Sequence, residues 1–389
     1  MESYLYECIL KNFIKYERIL MDKILKIAAI ETFYGGSHQV FIDGLIQHSR
    51  HKITLFTLPD QLWRCRMKES ASAIIQKVDN LGEFDLIFTT SLCNVSELKA
   101  LMGPTCPPIV LYVHENQHTY PRSTPQKRDY QLEWIDFMNT VTADLVIYNS
   151  DFHRNSYHQT LKTFIQEIPH TTLSSEYWVK RAQERSITLY PGTDTPYNHS
   201  KQSTENNVPR ILWNHRWEYD KQPTLFLKTL IQCMNTGYDF EVILLGKSTS
   251  TQSKKYKNLI NQLSKRIFHN GYVESRENYF SLLASGDIVI STAIQENFGL
   301  SIVEAVQCGC FPLLPNRLSY PELIPKEYHT SVFYNTDDEL YNRLATILEK
   351  KLYSQKTLCQ KFMVHHWKNR IDTYDNLFNS LLLTKGLSK

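Results

Sequence analysis

Short runs of β-branched and aliphatic residues recur along this chain, and stretches with helical spacing of apolar positions separate them. In the N-terminal half the runs are ILKIAAIE (24–31), KITLFTL (52–58), DLIFTT (85–90), PIVLYVHEN (108–116), ADLVIYNS (143–150) and SITLYPG (186–192). Most are continuously apolar instead of alternating, which is the pattern of strands covered on both faces in a parallel sheet between helices. Ser37 is placed to cap a helix after the first run, and YQLEWIDFMNTVTAD reads as another helix.

The pattern lapses in TDTPYNHSKQSTENNVP (193–209), a polar stretch without hydrophobic period that reads as a linker. The rhythm then restarts with RILWNHR (210–216), FEVILLGK (240–247), RIFHNGYV (266–273), DIVIST (287–292), CFPLLPN (310–316) and TSVFYN (330–335). Two successive doubly wound, Rossmann-like α/β units facing a cleft are the simplest architecture for this order. The expected division is a leader or extra helix (1–21), an N-terminal unit (22–195), a linker (196–208), a C-terminal unit (209–365) and a final helix (366–389) that crosses back onto the N-terminal unit.

Composition narrows the function classes. A chain of 389 residues, 42% hydrophobic and 21% charged, is globular and long enough for two cores. Its net charge of +3 excludes a uniformly basic nucleic-acid coat but not a local basic patch. The cysteines at 8, 65, 93, 106, 233, 308, 310 and 359 form no C-x-x-C and no zinc-like spacing, as in a reduced, cytoplasmic protein. No apolar run approaches the ~18 residues of a membrane span. The first twenty residues carry Glu2, Glu7, Lys11, Lys15, Glu17 and Arg18, unlike a secretory signal, and folded-domain patterning begins near Met21.

Candidate chemistry gathers just after the apolar runs, where doubly wound sheets bind ligands. In QENFGLSIVEA, Glu296 follows a strand and Glu304 lies about one turn into a helix starting near Gly299 or Leu300. Two carboxylates suit pairs of sugar and ribose hydroxyls, and the backbone around Asn297, Phe298, Gly299 and Leu300 suits phosphate oxygens. The same pair also fits a solvated helix start favoured by the dipole. In WNHRWEYDKQP, Arg216 and Lys221 precede a helix opened by Pro223 and can neutralise a departing diphosphate. ETFYGGSHQ offers Gly35 and Gly36 for close backbone approach, without the G-x-G-x-x-G of a dinucleotide site. In HENQ, His114 is placed to donate to a sugar hydroxyl, with Glu115 and Asn116 lining an acceptor pocket. The loop Gly271–Tyr272–Val273 is a candidate nucleobase contact or a plain turn. No Asp-x-Asp is present, so no metal or other cofactor is expected.

Two clusters mix cations with aromatics, WRCRMK (Arg64, Arg66, Lys68) and YPRSTPQKRDYQ (Arg122, Lys127, Arg128). The combination serves RNA backbone contact and base stacking. Each also fits an ordinary solvated loop.

Arg216, Lys221 and the E-x7-E pair together resemble the retaining glycosyltransferases of the GT-B fold, over nearly the whole chain after the leader. More specifically, ETFYGGSHQ, FTLP-x3-WR-x-R, YVHENQ-x-x-YP, RDYQ, WNHRWEYDKQP, VISTA-x-x-E-x-FG and EAVQCGCFPL-x-P look like the tRNA-queuosine α-mannosyltransferase family. The resemblance implies transfer of mannose from GDP-mannose to the cyclopentenediol of queuosine at the anticodon wobble position, the tRNA for aspartate being the expected acceptor. It implies that Arg216 and Lys221 bind the donor diphosphate, Glu296 the sugar and Glu304 the ribose. His114 and the Gly35–Gly36 loop complete the implied site. Two other readings fit the residues: the same chemistry on a lipid or cell-surface glycan, and a non-catalytic sugar-nucleotide- or RNA-binding protein.

Overall fold

The computed structural model describes residues 23–121, 130–196, 208–247, 250–353 and 356–386. In the N-terminal half, six strands form one sheet: β1 (Lys26–Tyr34), β2 (Lys52–Pro59), β3 (Leu86–Thr90), β4 (Ile109–Val113), β5 (Leu145–Tyr148) and β6 (Ser186–Thr188). Every pairing is parallel, in the order β2-β1-β3-β4-β5-β6. The continuous apolar runs are explained by alternation to two buried faces. Ala28, Ile30, Ile87, Ile109 and Leu111 pack on one side against Ala71, Ile74, Phe137 and Phe164. Their neighbours Ile27, Ala29, Leu86, Phe88, Val110 and Tyr112 pack on the other side against Phe41, Ile42 and Leu45.

That second face is closed by the far end of the chain. The helix Trp367–Gly386 places Trp367, Ile371, Tyr374 and Phe378 on it, a stripe with one turn between successive members. Each such buried side chain contributes about 1.5–3 kcal/mol. The indole of Trp367 lies so close to Gly44 and Gly192 that a Cβ on either would fall 2.0 or 2.1 Å from it. Asp375 fastens the helix by accepting from Ser49 Oγ (2.6 Å) and the Arg50 N–H (2.9 Å).

The C-terminal sheet comprises β7 (Arg210–Trp213), β8 (Glu241–Leu244), β9 (Ile267–Asn270), β10 (Ile288–Ile290), β11 (Phe311–Pro315) and β12 (Phe333–Tyr334). It too is parallel, in the order β12-β11-β10-β7-β8-β9. Strand order reverses between β1 and β3 in the first sheet and between β7 and β10 in the second, and a crevice opens at such a reversal. The loops after these strands carry Gly35–His38 on one side, and Asn214–Lys221 with Thr292–Gly299 on the other.

The halves touch beside these loops. Glu322 accepts from the N–H groups of Asp151 (2.9 Å) and Phe152 (2.7 Å), at the start of the helix Asp151–Glu167. Asn297 Nδ2 donates to the His114 carbonyl (3.2 Å), and Gln307 Oε1 accepts from the hydroxyls of Thr193 and Thr195.

Several local expectations need correction. Ser37 caps nothing, because the turn closes one residue earlier: Gly35 is the extended N-cap, and Gly36, with φ of 56°, opens the helix Gly36–His48. WRCRMK is not a loop but the first turns of the helix Trp63–Lys77, whose apolar stripe Met67, Ala71 and Ile74 is fully buried. Strands also stop short of their apolar runs, so HEN and NHR lie in loops past β4 and β7. The leader 1–21, most of the linker 196–208, and Arg122, Lys127 and Arg128 lie outside the described residues.

Candidate active site

Lys221 is the centre of the C-terminal side. Gln222, in the left-handed region at φ 52°, turns the chain into the helix Pro223–Asn235, with proline at its first position, where no N–H is needed. The short turn Tyr219–Lys221 just before it holds Lys221 at 8% exposure. Its Nζ donates to the Gln295 carbonyl (2.6 Å) and to Glu296 Oε2 (3.2 Å), with Asp220 at 3.3 Å. The two loops flanking the strand reversal are also joined through backbone: Thr292 Oγ1 donates to the Lys221 carbonyl (2.7 Å) and the Ile294 N–H to the Asp220 carbonyl (2.8 Å). Burial alone would raise the Glu296 carboxyl, but the charge and hydrogen bond of Lys221 outweigh it and hold Glu296 below the ordinary carboxylate range. His215 is pushed down to about 3 by burial and by Lys221, so it is a neutral ring beside the pair. Arg216 is half-exposed, 3.5 Å from Glu218, and its charge is felt by Tyr120 and His38 of the other half. It therefore stands at the mouth of the cleft.

Glu304 lies in the helix Leu300–Gln307, which Gly299 opens at φ 98°. The carboxylate is 4% exposed. It takes Arg276 Nη2 at 2.6 Å and Tyr279 Oη at 3.0 Å, and Asn214 Nδ2 reaches the same tyrosine oxygen at 3.2 Å. Both oxygens retain a lone pair for a further donor. The sequence reading missed Arg276 and Tyr279, since SRENY carries no signal beyond a helix start.

The other donor-side candidates divide. Phe298 is buried, with its ring 5.8 Å from Tyr190, so its side chain is taken up by packing. Leu300 and Val273 pack partly into the C-terminal core. Asn297 bridges the halves through His114, and its Oδ1 accepts from Gln295 Nε2 (3.1 Å). Past β9, Gly271 has φ of 154°, while Tyr272 is exposed with Lys247 Nζ 5.8 Å from its ring.

On the N-terminal side, a Cβ on Gly35 would meet Asp60 Oδ2 at 2.4 Å, so that glycine makes room for Asp60. Gly36 has open space where its Cβ would be and is required only by its φ. Asn116 is a buried structural residue: its Nδ2 donates to His153 Nε2 (2.8 Å) and its Oδ1 accepts from the Thr119 N–H (2.9 Å). Glu115 is partly exposed, and its charge reaches His38, Tyr120 and Arg216. His114 lies beside His38, ring centroids 4.2 Å apart, and His38 Nδ1 is 3.3 Å from Glu31 Oε1. One ligand atom from each of Glu31, His38 and His114 falls within 4.8 Å of the others, a grouping that the sequence reading did not anticipate.

The two cationic–aromatic clusters meet in part. Lys68 Nζ donates to Gln131 Oε1 (2.8 Å), and both line an open groove of about 510 Å³ with Tyr130, Trp134, Phe164 and Ile168. Arg64 lies 5.3 Å from the Trp63 ring, whereas Arg66 turns back to Glu69 and the Pro59 carbonyl. Among the described residues, no helix is long and apolar enough to cross a membrane.

Comparison with known proteins follows the same division of the chain. The family model described as tRNA-queuosine alpha-mannosyltransferase N-terminal matches residues 26–193, and that of group 1 glycosyl transferases matches 194–361. A tRNA-queuosine alpha-mannosyltransferase of Drosophila melanogaster is 33% identical over 374 residues, covering 91% of this chain and 96% of that one. Among solved structures, sucrose-phosphate synthase from Thermosynechococcus elongatus superposes with a TM-score of 0.70 at 14% identity, over 92% of this chain and 99% of that one. Anabaena Alr3699/HepE in complex with UDP and glucose gives 0.64 at 17% identity, over 93% and 100%. These likenesses establish the two-sheet GT-B fold.

Proposed function

The chain belongs to the tRNA-queuosine alpha-mannosyltransferase family and is a glycosyltransferase, and from that premise we propose that it transfers mannose from GDP-mannose to the cyclopentenediol of queuosine in tRNA, with retention of configuration. The observation that carries this reading is the placement of Arg216, Lys221 and Glu296 in the loops that flank the strand reversal of the C-terminal sheet, with Lys221 paired to Glu296 and Glu304, held by Arg276 and Tyr279, on the helix that follows.

In this reading the C-terminal unit (209–365) holds the donor and the N-terminal unit (22–195) the acceptor, and the two close across the linker. Arg216 and Lys221 meet the diphosphate and stabilise the charge that grows on it as the glycosidic bond breaks. Glu296, kept ionised by Lys221, accepts from sugar hydroxyls, and Glu304 accepts from the ribose. The acceptor hydroxyl attacks from the face the diphosphate leaves, and a leaving-group oxygen takes its proton. No side chain is positioned as a covalent nucleophile in this scheme. Two protein cations supply the neutralisation that a divalent ion gives elsewhere, so the donor needs no metal. The groove of Lys68, Tyr130 and Trp134 offers stacking faces and a cation to an anticodon loop. Such a substrate places the enzyme in the cytoplasm.

The test is incubation with labelled GDP-mannose and total tRNA from queuosine-containing and queuosine-lacking cells. Label in RNA only where queuosine is present is the expected result. Label in neither, or equally in both, refutes the acceptor assignment.

A further inference from the structure

Glu31 is a carboxylate at the end of an apolar strand, 0% exposed. Its Oε1 accepts from the Phe33 N–H (2.9 Å) and faces His38 Nδ1 (3.3 Å), while Oε2 has no hydrogen-bond partner. His38 sits in the first turn of the helix Gly36–His48, where the helix dipole disfavours a cation. Against it, 33° from parallel, lies the ring of His114. Phe41 (5.0 Å) and Tyr112 (4.8 Å) present edges to the same imidazole, so its orientation is fixed by packing on several sides. The buried Nε2 of His114 has no partner.

The charges of the two rings are set in opposite directions. Burial works against the protonated form of both. For His38 the adjacent Glu31, and more remotely Glu115, outweigh burial and the opposing Arg216, so it is held above its ordinary value. His114 falls well below its ordinary value, through burial first, then His38, then His153. Two rings this close do not both carry a proton charge without strong repulsion. Among the described residues, Glu31, Glu115 and Arg216 act on His38 by charge, and His114 stacks against it.

We propose that Glu31 and His38 are positioning residues for transfer: their buried contact, with His38 stacked on His114, fixes the His114 ring at the cleft where it would hydrogen-bond the donor sugar. The inference rests on the donor-site reading of this cleft, but not on the identity of the acceptor. Without Glu31, His38 loses the carboxylate that holds its proton and the anchor that keeps it against His114, although burial still opposes protonation of His114.

The experiment combines side-chain NMR titration of the histidines in the full-length wild-type protein with pH profiles of transfer. In the wild type, His38 titrates above free histidine and His114 stays neutral through the mildly acidic range. The rate falls on the alkaline side as His38 loses its proton. Glu31→Gln moves that fall to lower pH. His38→Gln removes it and lowers kcat between about 10- and 100-fold, the cost of a misplaced group, with donor KM little changed. A neutral His38 at pH 7 in the wild type, or an unchanged alkaline limb in a folded His38→Gln, overturns the proposal. So does a stoichiometric divalent ion retained by the wild type and lost on Glu31→Gln, which would make the three residues ligands. The titration needs neither a variant nor turnover, so it is read even where transfer to tRNA fails.

Discussion

Lys221 is a nearly buried ammonium ringed by a backbone carbonyl and two carboxylates. These contacts hold the Lys221 side chain at the strand reversal, where in the proposed reading it meets the departing diphosphate. The predicted consequence is that Lys221→Ala and Glu296→Ala each lower kcat by about 10²–10³-fold, with far-UV dichroism unchanged. Glu296 also sets an acid limit. Its carboxyl is held below the ordinary range, so the contribution of the pair to stability is complete above the unfolded carboxyl value and is lost as pH falls through the folded one. A stability profile of Glu296→Gln that is flat where the wild type declines verifies the assignment. In the proposed reading Glu304 acts differently, recognising a group remote from the breaking bond, so Arg276→Ala is predicted to raise donor KM with a smaller change in kcat. An effect confined to kcat contradicts that role. At this scale the sequence marked charged residues that follow apolar runs, since such runs end where ligands bind. It did not mark Arg276, Tyr279, Glu31 or His38, whose meaning comes from partners that distant strands bring close.

The elements followed from pattern more completely than the residues did. All twelve apolar runs became parallel strands, because a run buried on both faces has few alternatives. What pattern did not reveal was where each strand stops and which turn starts each helix, since those depend on φ at Gly36, Gln222 and Gly299. The closing helix Trp367–Gly386 has the most testable packing. Gly44→Ala sets a methyl against the Trp367 indole, and is predicted to destabilise by about 1–3 kcal/mol, measured by urea unfolding. The same substitution at Gly36, where the space is open, costs only the strain of its positive φ. In the helix Tyr130–Thr142, Trp134 is 41% exposed and lines the groove with Lys68. If a base stacks there, Trp134→Ala weakens tRNA binding by about 1–3 kcal/mol and leaves donor KM unchanged. Loss of donor affinity instead places the defect in the fold.

At the scale of the whole molecule, two sheets present their strand reversals to a shared cleft, and the last helix ties the C-terminal end of the chain to the N-terminal sheet. Glu322 and Asn297 hold the halves together through backbone groups beside the cleft, so opening and closing must break or remake those bonds. In the proposed mechanism closure excludes water, against which an activated sugar must be protected. The fold class was readable in the chain, and the residues proposed for the donor side lie in the loops where the pattern located them. The groove was legible only in part: the sequence marked Lys68 and the string holding Tyr130, but not Phe164 and Ile168, because the helices Tyr130–Thr142 and Asp151–Glu167 meet only in three dimensions. The most direct measurement is nucleoside analysis of queuosine-bearing tRNA after incubation with GDP-mannose. The account predicts a hexose on the cyclopentenediol of queuosine, in α linkage by NMR. Unmodified queuosine, or a β-linked sugar, would contradict it.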